Sequence, residues 1–236
     1  MVHLKQYVFV AIILAVVLAG FKLYPPKEET PLVKKIAPHF YRNPLTDISR
    51  INLKVFYAVP QNKIPLEGWP ALLEPVLVDS EKFHKVQFRG ISELHYDIAS
   101  QPFLLERESG FYDTGNTDRG NPEGLKNIFS EIKRRVPGIF EPAGGAFTVV
   151  AIVYEGVGAS GTDGAMILSR TFLSDGQYRD FRSSLFYHEF GHTLGLPDRY
   201  DLEHSIPYSN DIMGAGRRKS IELTYIDMEL LREMGL

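Results

Sequence analysis

The sequence predicts an α/β (α+β) domain with a mixed, twisted sheet, and three segments indicate this. Ile51–Val59 begins with alternating apolar and polar residues and is rich in β-forming residues, which predicts a strand. Phe147–Tyr154 is a continuous apolar run, typical of a strand buried on both faces. Between them, Glu123–Val136 carries apolar residues at helical spacing and ends before Pro137-Gly138. Strands and helices are therefore intermixed before a helix-dominated end, which favours helices packed on a mixed sheet.

Four further segments complete the expected order of elements. Pro70–Phe83 is predicted to be a helix that begins near its proline, because the first turn of a helix tolerates proline. Leu94–Phe103 is predicted to be a second strand, and Ala165–Phe172 another strand that follows a glycine-rich loop. Phe111–Gly124 is crowded with Asp, Asn and Gly, which predicts a loop.

The N-terminal segment, residues 1–24, is predicted to be a transmembrane anchor or a cleaved signal peptide. Gln6–Phe21 carries no charge and is flanked by Lys5 and Lys22. As a helix it would span about 24 Å, slightly less than a hydrocarbon core of about 30 Å. A short positive start and a small-residue pattern ending at Ala19 fit a signal peptide equally well. A buried core helix fits poorly, because the run has no polar face.

A spacer and one folded domain are predicted to follow. Residues 25–46 begin with a stretch rich in proline and charge, in which Pro25, Pro26 and Pro31 favour extended conformations. Residues 47–236 are long enough for a domain with a substantial core, and they contain neither internal repeats nor a low-complexity tract.

Composition excludes several classes of function. Lys and Arg total 26 against 29 Asp and Glu, so the formal charge is −3 and nothing indicates a nucleic-acid partner. With 44% hydrophobic and 23% charged residues, the chain fits neither a disordered protein nor a many-pass membrane protein. The chain contains no cysteine, which excludes disulfides, a thiolate metal site, a cysteine nucleophile and a cysteine-based latency switch. Any metal ion must therefore be held by His, Asp or Glu.

A metal-ligand pattern begins at His188, where the sequence reads HEFGHTLGLPDRYD. His188 and His192 are four residues apart, so a helix would project both rings from one face toward a single metal ion. Glu189 lies beside the first ligand and is placed to act on a water molecule. Gly195 permits a sharp turn at the helix end, which would bring Asp198 back as a third ligand. Two His and one carboxylate leave a fourth position open, as in catalytic zinc sites.

The HExxHxxGxxD pattern resembles the zinc motif of the metzincin metalloproteases, in the variant where Asp replaces the third His. Snapalysin-like and immune-inhibitor-A-like peptidases are similar over LGLPDRYD. The resemblance implies a metzincin-like zincin domain with a zinc-binding helix, a C-terminal helical subdomain and one catalytic Zn²⁺ ion. It also implies that Ala165–Leu168 is a sheet edge that pairs with substrate and that Leu223–Leu236 is the C-terminal helix. In the family a methionine turn lies beneath the metal, and Met213 within Asp211–Gly214 resembles it.

One position departs from the family pattern. Many metzincins have a tyrosine two residues after this methionine, whereas this chain has Ala215. A tyrosine contribution to the oxyanion is therefore absent from that position, and Tyr200 or Tyr208 would have to replace it.

These residues imply a zinc-dependent endopeptidase that acts outside the cytoplasm, either membrane-anchored or secreted. Zinc held by His188, His192 and Asp198 would activate water, and Glu189 would act as general base toward the peptide bond of a polypeptide substrate. Two alternatives stay open at the level of sequence: a catalytically inactive metzincin-fold binding module, and a zinc hydrolase of a non-peptide amide. The sequence gives no indication of oligomeric state.

Other polar residues are expected to have ordinary roles. Asp113 and Asp118 are carboxylates that could ligate calcium, but their spacing is not that of an EF-hand, so a plain turn is favoured. The basic run Arg217–Lys219 is expected to be solvated. His204 lies near the motif in sequence. An ordinary solvated or hydrogen-bonded side chain is favoured there, and a position at the border of the substrate cleft is the less favoured alternative. The remaining histidines, His3, His39, His84 and His95, are expected to be solvated or hydrogen-bonded.

Overall fold

The structure is a computed structural model that describes residues 37–112, 121–142, 144–200 and 209–236. These residues belong to one compact unit, Ile36–Leu236. In this described part of the chain, no helix is long and apolar enough to cross a membrane. The segment predicted to be an anchor or signal peptide, residues 1–24, lies outside the described residues, as does the first part of the spacer.

A mixed sheet forms the centre of the unit, in agreement with the predicted fold class. In the strand order β4-β3-β6-β8-β7, the first four strands are parallel and β7 pairs antiparallel to β8. β5 continues alongside β3 beyond the end of β4, and β1 and β2 form a separate hairpin. The strands of the described residues are β1 (His39–Phe40), β2 (Asn43–Asp47), β3 (Arg50–Val59), β4 (Glu93–Ile98), β5 (Phe103–Leu104), β6 (Phe147–Tyr154), β7 (Ala159–Thr162) and β8 (Ala165–Ser169).

Helices cover both faces of this sheet. The α-helices of the described residues are α1 (Trp69–Gln87), α2 (Pro122–Arg135), α3 (Thr171–Ser174), α4 (Arg182–Thr193) and α5 (Met228–Arg232). Single turns of 3₁₀ helix lie at Ser109–Tyr112, Gly176–Tyr178, Ala215–Arg218 and Ile221–Leu223. The predicted helices at Pro70–Phe83 and Glu123–Val136 are confirmed as α1 and α2. Asn121 caps α2, since its side chain accepts a hydrogen bond from the Glu123 amide at 3.1 Å.

Strand β6 separates two layers of core, because alternate side chains of a strand point to opposite faces. Val149, Ala151 and Val153 pack in the layer that contains α1 and α4. Val150 and Ile152 pack in the second layer, which contains the apolar face of α2. This arrangement confirms the prediction of a strand buried on both faces, and it places α2 on the other side of the sheet from α4.

The edge of the sheet is not the strand that the family resemblance implied. Ala165–Leu168 lies in β8, which pairs on both sides, and β7 is the edge strand, within the predicted glycine-rich loop. The small residues of β7 have a packing reason: a Cβ on Gly161 would lie 2.2 Å from the Glu189 backbone oxygen of α4. A side chain at this position is therefore excluded. Because the segment must contain small residues, its sequence resembles that of a loop although it forms a strand.

Two other predicted strands are shorter than expected. Leu94–Phe103 divides into β4 and β5, with Pro102 immediately before β5. Ala165–Phe172 ends its strand at Ser169, and the chain then turns into the short helix α3. Proline lacks the N–H that a continuous strand requires, which accounts for the first division.

Both ends of the domain differ from the prediction. The spacer predicted to extend to residue 46 ends earlier, because the β1–β2 hairpin belongs to the compact unit. Its His39 and Arg42 amides donate to the carbonyls of Met234 and Glu233, at 3.0 and 3.1 Å. The C-terminal helix is shorter than Leu223–Leu236, and the Leu223 side chain is 62% exposed instead of buried.

A buried histidine joins α1 to α4 on one face of the sheet. His84 Nε2 lies 2.8 Å from Ser92 Oγ, and Nδ1 lies 2.9 Å from the Tyr187 hydroxyl. Ser92 donates its only hydroxyl proton to the Ile48 carbonyl. Nε2 therefore carries the His84 proton and Nδ1 accepts the Tyr187 hydroxyl proton. The expectation that His84 is hydrogen-bonded is confirmed.

Stability is predicted to fall in acid because of His84. Burial lowers the pKa of His84 from 6.5 to about 3. Between these two values the unfolded chain binds a proton that the folded chain does not. The free energy of unfolding therefore falls as the pH falls, by up to about 1.4 kcal/mol per pH unit. Above the unfolded value, both states are neutral and the contribution is constant. Urea unfolding from pH 7.5 to 4.5 measures the slope.

His84→Gln is the matched variant for this measurement, because glutamine hydrogen-bonds but does not titrate. Its free energy of unfolding is expected to fall less steeply below pH 6.5 than that of the parent. All other titrating groups are common to both proteins and cancel in the difference. Equal slopes in the two proteins would contradict the role of His84.

Candidate metal centre

Helix α4 brings two imidazole rings together, and two backbone carbonyl groups from outside the helix orient these rings. His188 and His192 are four residues apart on α4, so their rings project from the same face. His188 Nδ1 lies 2.9 Å from the Ile212 carbonyl oxygen, and His192 Nδ1 lies 2.8 Å from that of Leu196. Carbonyl oxygens only accept hydrogen bonds, so each Nδ1 carries the ring proton. Both Nε2 atoms are therefore left with a free lone pair.

A glycine turn brings the predicted third ligand to these two nitrogens. Gly195, just past the end of α4, has a φ of 84°, and a Cβ there would lie 2.4 Å from a ring carbon of Phe40 in β1. Both the backbone conformation and this contact exclude a side chain. Beyond the turn, Asp198 Oδ1 lies 3.4 Å from His188 Nε2 and 3.3 Å from His192 Nε2.

The three atoms fit a tetrahedral metal ion. The two Nε2 atoms are themselves 3.3 Å apart, so the three donors form a nearly equilateral triangle. Tetrahedral zinc bonds of about 2.0–2.1 Å place neighbouring ligand atoms about 3.3–3.4 Å apart. Lone pairs at this separation repel each other unless a cation lies among them. In the described part of the chain, this group is the one set of three such side chains whose ligand atoms converge within 4.8 Å.

The pKa values at the site favour positive charge among these atoms. Burial alone would raise the pKa of Asp198, but its contacts with His188 and His192 outweigh burial and hold that pKa well below its usual range. Burial alone would lower the pKa of His192, but its interactions with Asp198 and the Leu196 carbonyl raise it. A carboxylate that stays ionised is suited to hold a cation such as Zn²⁺.

Glu189 lies beside the donor triangle without belonging to it. It precedes Phe190 on α4, is only 7% exposed, and lines the same cleft as the two histidines. Burial raises the pKa of Glu189, while the neighbouring histidines partly oppose that effect. A buried carboxyl group beside the three donor atoms is suited to accept and return a proton.

Met213 is fully buried beneath the zinc-motif helix. A Cβ built on Gly191, the residue before His192, would lie 2.6 Å from the Met213 sulfur. The Met213 amide donates to the Asp211 carboxylate at 3.1 Å, which fixes the turn. Met213 is therefore packed against α4 and lies apart from the donor atoms.

An ion pair ties the Asp198 loop to this methionine turn. Arg199, the next residue after Asp198, donates its amide to the Met213 carbonyl at 2.8 Å. Its side-chain Nε lies 3.4 Å from Asp211 Oδ2, and the Asp211 side chain is only 5% exposed. Glu229 of α5 accepts from Arg199 Nη1 at 3.0 Å. Arg199 therefore holds the third ligand to the same turn that orients His188. No motif in the sequence indicates this role.

A cleft of about 890 Å³ opens over the donor atoms. Strand β7 lines one part of it and α2 another. Tyr200 also lines it, with its ring centre 5.9 Å from that of His188. The guanidinium carbon of Arg217 lies 3.5 Å from the Tyr200 ring centre, so the prediction of a solvated basic run is wrong for this residue. The Arg217 side chain also contacts the methionine turn, because its Nη1 donates a hydrogen bond to the Gly214 carbonyl at 3.2 Å.

Several sequence-predicted residues lie outside the described residues. These are Tyr208 and His204 near the motif and the two carboxylates Asp113 and Asp118 considered for calcium. Tyr200, the other tyrosine considered as a replacement for the family tyrosine, is described and lines the cleft.

No protein-family model matches the chain, and no curated protein matches it. Among solved structures, the chain is similar to archaemetzincin from Methanopyrus kandleri, with 13% identity and a TM-score of 0.46. The alignment covers 79% of this chain and 94% of that one.

Zinc affinity is predicted to depend on Arg199. Arg199→Met removes the ion pair with Asp211 and leaves only the backbone bond to Met213 between the Asp198 loop and the methionine turn, so zinc affinity is expected to fall about 10- to 100-fold. Competition with a chromophoric chelator measures this affinity without any assay of activity. Arg199→Lys, which keeps the charge, is expected to recover part of it.

Arg232→Met serves as the control, since Arg232 is an exposed residue of α5. It is expected to bind zinc like the parent. Parental zinc affinity in Arg199→Met would show that Arg199 does not position the ligand loop.

Proposed function

We propose that this chain is a zinc-dependent endopeptidase. The observation that carries the proposal is the triangle of donor atoms from His188, His192 and Asp198, 3.3–3.4 Å on each side, with Glu189 beside it. Three protein ligands and an open cleft are typical of catalytic and not of structural zinc.

The chain's residues have distinct roles in this proposal. His188, His192 and Asp198 hold the zinc ion, which when bound acidifies water and polarises the substrate carbonyl. Glu189 accepts the proton of the attacking water and later donates it to the leaving amine. The buried position of Glu189 keeps bulk water from competing for that proton.

The sheet edge supplies a binding site for an extended polypeptide. One side of β7 pairs with β8, and residues of β7 line the cleft next to Glu189. A peptide that lies along such an edge adds a strand through main-chain hydrogen bonds, which recognise any sequence in extended form. This feature favours a polypeptide over a small non-peptide amide as substrate.

Tyr200 is assigned a second contribution to the reaction. It lines the cleft beside His188, and Arg217 stacks on its ring. A hydroxyl at this position is suited to donate a hydrogen bond to the substrate oxygen as negative charge develops on it. Tyr200 would thus replace the family tyrosine, whose position is occupied by Ala215.

An extracytoplasmic site of action is part of the proposal. It is supported by the uncharged segment Gln6–Phe21, which is flanked by lysines and suits an anchor or a secretory signal. The N-terminal sequence of the mature protein distinguishes the two: a start at Gly20 or later means secretion, and an intact start in the membrane fraction means an anchor.

Glu189→Gln is predicted to retain zinc and to lose activity. Glutamine preserves the size of the side chain but cannot accept the proton, so kcat is expected to fall about 100- to 10,000-fold. Cleavage of casein and of a mixed peptide library by zinc-loaded protein measures activity, and metal analysis measures one zinc per chain.

Glu67→Gln is the control, because Glu67 is exposed in the segment before α1. It is expected to cleave like the parent. Equal rates in Glu189→Gln and the parent would exclude Glu189 as general base. A zinc-loaded parent that cleaves no polypeptide would contradict the endopeptidase proposal and favour a binding module.

Tyr200→Phe is predicted to slow the chemical step selectively. The ring and its stacking with Arg217 remain, so zinc affinity and KM are expected to stay unchanged while kcat falls about a hundredfold. Tyr225→Phe is the control, since Tyr225 is 44% exposed and does not line the cleft. An unchanged kcat in Tyr200→Phe would rule out the assigned role.

A further inference from the structure

Helix α2 contributes a wall to the cleft although it lies on the other face of the sheet from the zinc-motif helix. Its apolar side chains Ile128 and Ile132 pack in the second core layer against β6. Residues on a neighbouring face of the same helix line the cleft over the donor atoms. The helix is therefore fixed by the core on one side and open to a ligand on the other.

The cleft-lining residues of α2 follow a helical stripe. Lys126, Phe129 and Lys133 are spaced by three and then four residues, so they lie on one face of the helix. The two lysines are about 10.5 Å apart along the axis, at a rise of about 1.5 Å per residue. A half-buried aromatic ring thus lies between two exposed cations.

Further apolar side chains extend the surface around Phe129. Leu125 precedes it on α2, and Phe140 follows the helix; both line the same cleft. Phe140 is half-buried, so an apolar side chain of a ligand would bury exposed surface there. This part of the cleft favours a large aliphatic or aromatic side chain.

The positive charge of the α2 wall is only weakly neutralised by carboxylates of the protein. Lys126 lies 3.6 Å from Glu123, but both side chains are about 70% exposed, so water screens that pair. Lys133 forms no ion pair with any carboxylate of the described residues. The acidic group on the β7 side of the cleft is Asp163. The two walls therefore differ in charge.

We infer that α2 selects the substrate: the cleft takes polypeptide segments in which an acidic side chain lies close to a large apolar one. Lys126 and Lys133 bind the carboxylates, and Phe129 and Phe140 contact the apolar side chain. An extended chain rises about 3.3 Å per residue, so three residues span the distance between the two lysines. The inference rests on the proposed endopeptidase function and names its substrate class.

Cleavage of matched peptides by the zinc-loaded full chain tests this inference. One quenched fluorescent peptide with a central leucine or phenylalanine is varied at each flanking position to Glu, Gln or Lys. At one or more positions the parent is expected to prefer Glu over Lys about tenfold in kcat/KM, because Glu gains an exposed ion pair where Lys meets a like charge. In Lys126→Glu/Lys133→Glu this preference is expected to invert.

A charge reversal elsewhere provides the control. Lys82 and Lys85 are exposed near the end of α1, on the face of the sheet away from α2, so Lys82→Glu/Lys85→Glu changes the net charge by the same amount as the double variant. It is expected to keep the preference of the parent. Thermal unfolding of all three proteins monitors their folding, and the preference for Glu is expected to weaken with added salt.

Binding separates failure of the inference from failure of the proposed function. Fluorescence anisotropy measures the affinity of the Glu and Lys peptides for Glu189→Gln, with and without the lysine reversals. If parent and double variant are both active and have the same ratio of kcat/KM for the Glu and Lys peptides, the role of α2 is overturned and the endopeptidase function is not. Binding with the expected preference but no cleavage would overturn the endopeptidase function and leave the recognition intact. Neither binding nor cleavage would overturn both.

Discussion

The site depends on the close approach of three electron-pair donors that repel each other in the absence of a cation. Two backbone carbonyls impose this approach: Ile212 holds the proton of His188 on Nδ1, and Leu196 does the same for His192. Each imidazole is then fixed in tautomer and orientation, with Nε2 directed at Asp198. Because the two carbonyls belong to different segments, the site forms only when the chain after α4 and the methionine turn both pack against the helix. The geometry of the three donor atoms is thus a property of tertiary packing as much as of the residues that carry them.

Packing around α4 explains several small or polar residues that have no chemical role. Gly161 lets β7 approach the backbone of the helix, and Gly191 leaves room for the Met213 sulfur. His84 joins the helix from the other side through the Tyr187 hydroxyl. A side chain added at either glycine would displace the sheet edge or the methionine turn from the helix. The absence of side chains at these two positions therefore sets how closely the sheet edge and the methionine turn approach α4.

Local sequence signals predicted the elements whose structure is determined locally. β6 has the predicted bounds, and α1 and α2 lie where helical spacing and proline placed them. The three predicted ligands are close in sequence, so a helix and a glycine turn suffice to bring them together. β7 does not match the prediction, because its small residues are as typical of a glycine-rich loop as of an edge strand packed on a helix. The Asp163-Gly164 turn that joins it to β8, with φ of 70° at the glycine, was the available signal.

The sequence by itself determined a candidate donor set and its spacing: without cysteine, a metal ion needs His or carboxylate ligands, and the His-Glu-x-x-His pattern followed by Gly195 and Asp198 supplies two imidazoles and one carboxylate. It also determined the mixed α/β class, through apolar patterns with periods of the helix and of the buried strand. Only the tertiary structure decided which strand is the edge, that Arg199 and Asp211 hold the ligand loop, and that α2 forms part of the cleft. These depend on contacts between residues far apart in the chain, for which hydrophobic periodicity carries no information.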